Sequence, residues 1–152
     1  MNSKIYTGQY SECKAGNLIS ISGDRGKSIG YSGKAFPLLA PKREFWKIWH
    51  DNIGKIPEEE NTRFYIEQYY NQVLKKTDLE ALLSNEENPI LLCYERSNEF
   101  CHRHIVAEYI ELKYGIYVPE ISIDNNMQII IKERPKVINQ ILGEIIDEKI
   151  GF

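Results

Sequence analysis

The stretch Asn88-Pro89-Ile90-Leu91-Leu92-Cys93 constrains this chain more than any other. The Asn-Pro step interrupts whatever precedes it, and four apolar residues then follow without alternation. A strand that reads apolar on both sides has both faces covered, as the central strand of a parallel sheet does. Downstream, Ser97 or Asn98 can cap a helix from about Phe100 to Tyr114. Ile105, Val106, Tyr109 and Ile110 form its apolar side, and Gly115 stops it. A buried strand, a loop and an amphipathic helix in that order predict an α/β domain.

The remaining segments fit that prediction. Lys4-Ile5-Tyr6 reads as a short strand ended by Thr7-Gly8, and Leu18 to Ser22 as a second strand. From Gly23 to Gly33 the chain is a glycine-rich loop. Pro41 suits the first turn of a helix over 42–50, with Phe45, Trp46 and Trp49 on its apolar side. Asn61 or Thr62 can cap a helix to about Lys76, in which Ile66, Tyr69, Tyr70, Val73 and Leu74 recur at helical spacing. Asp78 can cap a short helix through Leu83. Glu120 to Ile123 and Met127 to Lys132 flank Asp124-Asn125-Asn126 and predict a hairpin. Pro135 opens a last helix with Val137, Ile138, Ile141, Leu142, Ile145 and Ile146 inward. The prediction is one domain over residues 1–152, an open and mostly parallel sheet flanked by helices, ending in a hairpin and helix. The broad apolar face of that last helix suits either the domain core or a homodimer seam.

Composition excludes several classes of function. The net charge is −3 and the pI about 5.7, which disfavours a general nucleic-acid binder. No apolar run approaches the roughly 20 residues that span a bilayer. Met1-Asn2-Ser3-Lys4 opens no export signal. Three cysteines, Cys13, Cys93 and Cys101, suit no disulfide framework and point to a reducing, cytoplasmic setting.

The chemistry concentrates where the buried strand hands over to its helix. Ligands in open α/β sheets bind beyond the carboxyl ends of the strands, where helix N-termini present free N–H groups. Cys101-His102-Arg103 lies there, in the first turn of the helix. Cys101 has the setting of a depressed thiol pKa. Arg103 is suited to clamp a phosphate or carboxylate, and Glu95, just past the strand, to act as acid or base. A small buried cysteine is equally at home in a core, and Glu95 is close enough in sequence to neutralise Arg103.

The segment Leu91-Leu92-Cys93-Tyr94-Glu95 followed by Cys101-His102-Arg103 resembles the domain-of-unknown-function family numbered 488. In that family a strand ending in Cys-x-Glu precedes a Cys-His-Arg helix start. Ile5-Tyr6-Thr7-Gly8 is similar to its first strand and turn, and Leu39-Ala40-Pro41-Lys42-Arg43-Glu44-Phe45-Trp46 to the helix opening of one branch. The resemblance covers roughly residues 4 to 120, with 121–152 as an extension. It implies a Rossmann-like domain with a pocket near Cys101, to which Thr7, Gly8 and Cys93 would add ligand contacts. It supplies no reaction and no cofactor. The family's Asp-Arg pattern after the second strand has its nearest match in Gly23-Asp24-Arg25, displaced into the loop.

Other motifs carry less. Gly23-Asp24-Arg25-Gly26-Lys27-Ser28 resembles a phosphate loop, but the first glycine of that motif falls on Ile21. Arg25, Lys27 and free backbone N–H groups remain as an anion-binding nest. A phosphatase loop needs arginine six residues after its cysteine, and those positions hold Glu99 and Ala107. No Cys-x-x-Cys exists, and adjacent Cys101 and His102 on a helix point apart, so no metal site is expected. Phe64, Tyr65, Tyr69 and Tyr70 suit base stacking or, more simply, a core. The reading is a small enzyme acting on an anionic small molecule or nucleotide, with Cys101 as nucleophile, His102 as proton carrier, Arg103 as anion clamp and Glu95 as acid/base. The alternatives are a non-catalytic ligand- or nucleic-acid-binding module using the same pocket, and a structural protein.

Overall fold

The computed structural model describes residues 4–149. Its strands are β1 (Tyr6–Cys13), β2 (Asn17–Ser20), β3 (Lys34–Ala35), β4 (Pro89–Cys93), β5 (Glu120–Ile123) and β6 (Ile129–Lys132). Its helices are α1 (Arg43–Asn52), α2 (Glu58–Gln72), α3 (Leu79–Leu83), α4 (His102–Tyr114) and α5 (Val137–Lys149). The described strands form one open sheet in the order β3-β2-β4-β1-β5-β6. All neighbours are parallel except β5 and β6. This is the expected α/β architecture. β4 lies between β1 and β2 with all five residues buried, as its unbroken apolar run requires.

The link between β1 and β2 is unusual. β1 leaves β4 with Gln9 opposite Cys93, and β2 begins again with Asn17 opposite Pro89. Residues 10–16 must therefore carry the chain back along β4, in fewer than the dozen or so residues of a parallel crossover. They do so across one face of the sheet. Tyr10 and Cys13 pack on Ile90, Leu92, Ile121 and Ile123. The Tyr10 hydroxyl shares hydrogen bonds with Ser20 and Ser22 at 2.5 and 2.6 Å. Tyr31 and Tyr94 complete this cover with rings 5.5 and 4.9 Å from that of Tyr10. Side chains of the helices form a second core on the other face with Ile5, Ile19 and Leu91.

Thr7 and Gly8, expected to end the first strand, lie inside it. Gly8 is needed there because the return segment crosses it: a Cβ would stand 2.4 Å from Cys13 Sγ and 3.0 Å from the Ile121 carbonyl. α2 begins at Glu58, ahead of the expected caps, with three glutamates in its first turn facing the positive end of the helix dipole. Asn61 is buried within it and donates to the Trp49 carbonyl at 2.9 Å. Asp78 caps α3 as expected, accepting from the Ala81 N–H at 3.0 Å, and Gly115 ends α4 at φ 67°. Val137 is exposed rather than inward, whereas Ile138, Ile141, Leu142 and Ile145 are buried in the main core. α5 packs on α2 and α4. Its apolar face is thus filled largely within the chain, the first of the two alternatives the sequence left open.

Candidate functional site

A cleft of about 520 Å³ opens beyond the carboxyl end of β4, where parallel sheets place their ligands. Aromatic side chains from three elements form its walls. Trp46 and Trp49 come from α1, Tyr65 from α2 and Phe100 from the turn before α4. The Tyr65 ring meets those of Phe100 and Trp49 edge-on at 5.0 and 5.2 Å. Asp24, Glu95 and Arg43 supply its charged lining, and Cys93, Cys101 and His102 are the buried residues at its floor.

The floor is built by the handover from strand to helix. Cys93 is the last residue of β4. Cys101 is the N-cap of α4 with extended backbone, φ −158° and ψ 148°. Its side chain therefore leaves the chain in a different direction from a helical residue, and it meets its neighbour instead of diverging from it. Cys93 Sγ, Cys101 Sγ and His102 Nδ1 all lie within 4.8 Å of one another. Nδ1 is 3.8 Å from Cys93 Sγ and 4.0 Å from Cys101 Sγ. The other ring nitrogen, Nε2, stands 2.7 Å from the Ile21 carbonyl. A carbonyl only accepts, so Nε2 carries a hydrogen toward it and Nδ1 faces the two sulfurs. Glu95 Oε2 is 3.8 Å from Cys93 Sγ.

Burial opposes charge on Cys101 most strongly. A hydrogen bond from Cys93, the Arg103 guanidinium and His102 outweigh it and hold the Cys101 thiol well below its ordinary range. Cys93, which donates that bond, is pushed well up, with burial adding to the effect. Burial and then the nearby Cys101 raise Glu95. Cys13 sits apart, pushed up to about 12 by burial, and does not line the cleft. Iodoacetamide at neutral pH is therefore expected to label Cys101 before Cys13. Peptide mass spectrometry reads the rates, and preferential labelling of Cys13 would show that the cleft is closed.

Arg103 is placed elsewhere. Its side chain is fully buried and donates to Glu120 through Nε at 3.1 Å and Nη2 at 2.7 Å. Thr7 Oγ1 and Ser97 Oγ donate to the same carboxylate at 2.6 and 2.7 Å. Neither Arg103 nor Thr7 lines the cleft, and the partner of Arg103 is Glu120 rather than Glu95. Its placement is that of a strut between α4 and β5, not of an anion clamp. Beside it, His104 is buried without a hydrogen-bond partner and is pushed down to about 4 by burial and by Arg103.

The glycine-rich loop is also occupied. Asp24 accepts from the N–H groups of Gly26 and Ser28 at 2.8 and 3.1 Å and from the Tyr94 hydroxyl at 2.6 Å. Its own carboxylate thus takes the place of the anion expected in that nest. Burial works against that charge, but the bonds from Tyr94, Gly26 and Ser28 prevail and depress its pKa. Arg25 and Lys27 are exposed and do not line the cleft, so they do not converge with Arg103. Tyr94→Phe should loosen this loop by about 1 kcal/mol, read as faster amide exchange at Gly26 and Ser28. Unchanged exchange would show that the loop stands without the contact.

Of the residues singled out in the sequence, the structure gathers Cys93, Glu95, Cys101 and His102, and leaves Thr7, Gly8, Arg25, Lys27 and Arg103 outside the cleft. Apart from Tyr65, read above as suited to base stacking, the aromatic walls and Glu120 were not foreseen. Trp46 and Trp49 are the chain's two tryptophans, one helical turn apart, and that clustering was the available signal.

Among the described residues no helix is long and apolar enough to cross a membrane. No curated protein and no solved structure matches the chain. A family model described as the active DUF488-N3 subclade matches residues 10–114, more than half of the sequence, and takes in β4, the cleft and α4. The chain therefore belongs to the DUF488 family, within the subclade so described.

Proposed function

We propose that this chain is a small enzyme that admits a planar-ringed small molecule of the nucleoside or mononucleotide class into the aromatic cleft and acts on it at the Cys93–Cys101–His102 floor. The observation that carries this reading is the convergence of Trp46, Trp49, Tyr65 and Phe100 on a buried cluster of two sulfurs and an imidazole nitrogen. Aromatic walls hold flat rings by stacking whatever their substituents. The charged lining narrows the class. Asp24 and Glu95 face a single arginine, Arg43, which suits one phosphate at the rim better than a polyphosphate. Glu95 is the acid/base at the wall, Cys101 and His102 are catalytic residues at the floor, and Arg103 is a positioning residue that fixes the start of α4. Three free thiols fit a reducing, cytoplasmic setting.

The test is a panel of nucleosides and mononucleotides, followed by thermal shift and by mass spectrometry of the products. The expected result is a raised melting temperature with at least one member and its conversion to product. Conversion should fall at least a hundredfold in Glu95→Gln, while Trp49→Ala raises KM. Binding without conversion would support a ligand-binding module instead. No response from any member would overturn the reading.

A further inference from the structure

We infer that Cys93, Cys101 and His102 form a divalent metal site of the zinc type, with its fourth position open to the cleft. This deepens the proposed function and rests on it only for the identity of the molecule that would enter.

The donor set is the first reason. Two thiols and one imidazole match zinc's preference for sulfur and nitrogen, and three protein ligands with one open position is the arrangement of catalytic zinc. The spacing is the second. Tetrahedral zinc with bonds of ~2.3 Å to sulfur and ~2.0 Å to nitrogen places sulfur and nitrogen ~3.6 Å apart. The two sulfur–nitrogen distances are 3.8 and 4.0 Å, within a few tenths of an ångström of that spacing, and the two sulfurs lie within 4.8 Å of one another. Orientation is the third. Metal-bound histidines fix their tautomer by donating the far N–H to a carbonyl or carboxylate, and His102 Nε2 does this to the Ile21 carbonyl. That bond leaves Nδ1 aimed at the sulfurs. Without a metal, the ring nitrogen and the two sulfurs face one another at 3.8 and 4.0 Å.

The fourth position faces the aromatic cleft, since all three donors line it. Glu95 stands at that opening, 3.8 Å from Cys93 Sγ, where a carboxylate can hold a metal-bound water in place. The neighbouring cysteines and histidines take no part. Cys13 and His104 do not line the cleft, and His50 is exposed on α1.

The experiment uses the full chain purified under reducing conditions, with Zn²⁺ and Co²⁺ as probes. The wild type is expected to carry close to one zinc per chain by elemental analysis. After chelation and dialysis, Co²⁺ should produce thiolate-to-metal charge-transfer absorption and the visible bands of a tetrahedral site. Zn²⁺ should slow alkylation of Cys93 and Cys101 at least tenfold and leave Cys13 unchanged. Cys93→Ser, Cys101→Ser and His102→Gln should each weaken zinc binding by at least about a hundredfold, more than loss of an outer-shell partner brings, while Cys13→Ser binds as the wild type does. The cobalt and alkylation measurements need no variant to fold. Less than a tenth of an equivalent of zinc after reloading, no charge-transfer band, or equal alkylation with and without Zn²⁺ would overturn the site. The two readings separate cleanly. Turnover by a chain that fails to retain zinc overturns the metal site and leaves the enzyme standing, whereas tight zinc without any turnover does the reverse.

Discussion

Replacing Arg103 with methionine should lower the melting temperature by roughly 10 °C, through a loss of about 3–5 kcal/mol. The guanidinium is fully buried against Glu120, and its removal strands a carboxylate that has no access to water. Thr7 Oγ1 and Ser97 Oγ continue to donate to it, which softens the loss without replacing the charge. The double variant Arg103→Met, Glu120→Leu should recover part of the stability, because the unpaired charge goes but the two hydroxyls lose their acceptor. A single variant within 1 kcal/mol of wild type by chemical denaturation would show that the pair is not what holds α4 to β5. The pair also has a pH signature. Glu120 meets Arg103, His104, Thr7 and Ser97. Burial opposes its charge, but Arg103 prevails and lowers its pKa in the fold. The folded chain then binds fewer protons at this site than the unfolded one, so the contribution is complete above the ordinary glutamate range and is lost as pH falls through the folded value. Acid unfolding should therefore be steeper in the wild type than in Arg103→Met, Glu120→Leu.

Gly8→Ala should cost about 1–3 kcal/mol although the change is a single methyl group. The new Cβ meets Cys13 Sγ at 2.4 Å and the Ile121 carbonyl at 3.0 Å. Neither neighbour is free to move, since Cys13 is buried beside Tyr10 in the core on the face away from the helices and Ile121 is held in β5. Cys13→Ala in the same chain should return part of the loss by removing the closer contact, and the crowding at the Ile121 carbonyl should remain. A neutral Gly8→Ala, measured by denaturation, would mean that residues 10–16 do not lie over the sheet as described.

The elements that could be read from sequence were those with local signals. The unbroken run Ile90 to Cys93 marked the central strand, Asp78 marked the start of α3, and Gly115 the end of α4. The β1–β2 return could not be read, because Tyr10 and Cys13 acquire their roles only from the sheet they cover. In the site, Cys93, Glu95, Cys101 and His102 were legible through their position at the end of a strand. Arg103 was misplaced because nothing in the sequence brings Glu120 beneath it; β5 arrives there through parallel pairing with β1. The convergence of the two sulfurs and His102 Nδ1 was hidden for a conformational reason. Cys101 and His102 were treated as two residues of one helix, whereas Cys101 is an extended cap whose side chain turns toward its neighbour. The loop was misassigned because Asp24, counted as part of a cation-rich stretch, supplies the anion itself.

The insertion of β4 between β1 and β2 has a consequence for the order of folding. β2 can pair early with the two-residue β3, but β1 has no ladder to join, and β2 lacks its longer one, until the chain has been made through Cys93. Until then the amino-terminal segment carries unsatisfied strand edges, and its pairings span some eighty residues of sequence, the kind of separation that slows folding. The nascent chain is thus most vulnerable to association with its neighbours in that interval. Slower translation ahead of residue 89 would prolong the interval, and a chaperone that shields extended apolar segments would act on this protein before β4 emerges rather than after its synthesis is complete.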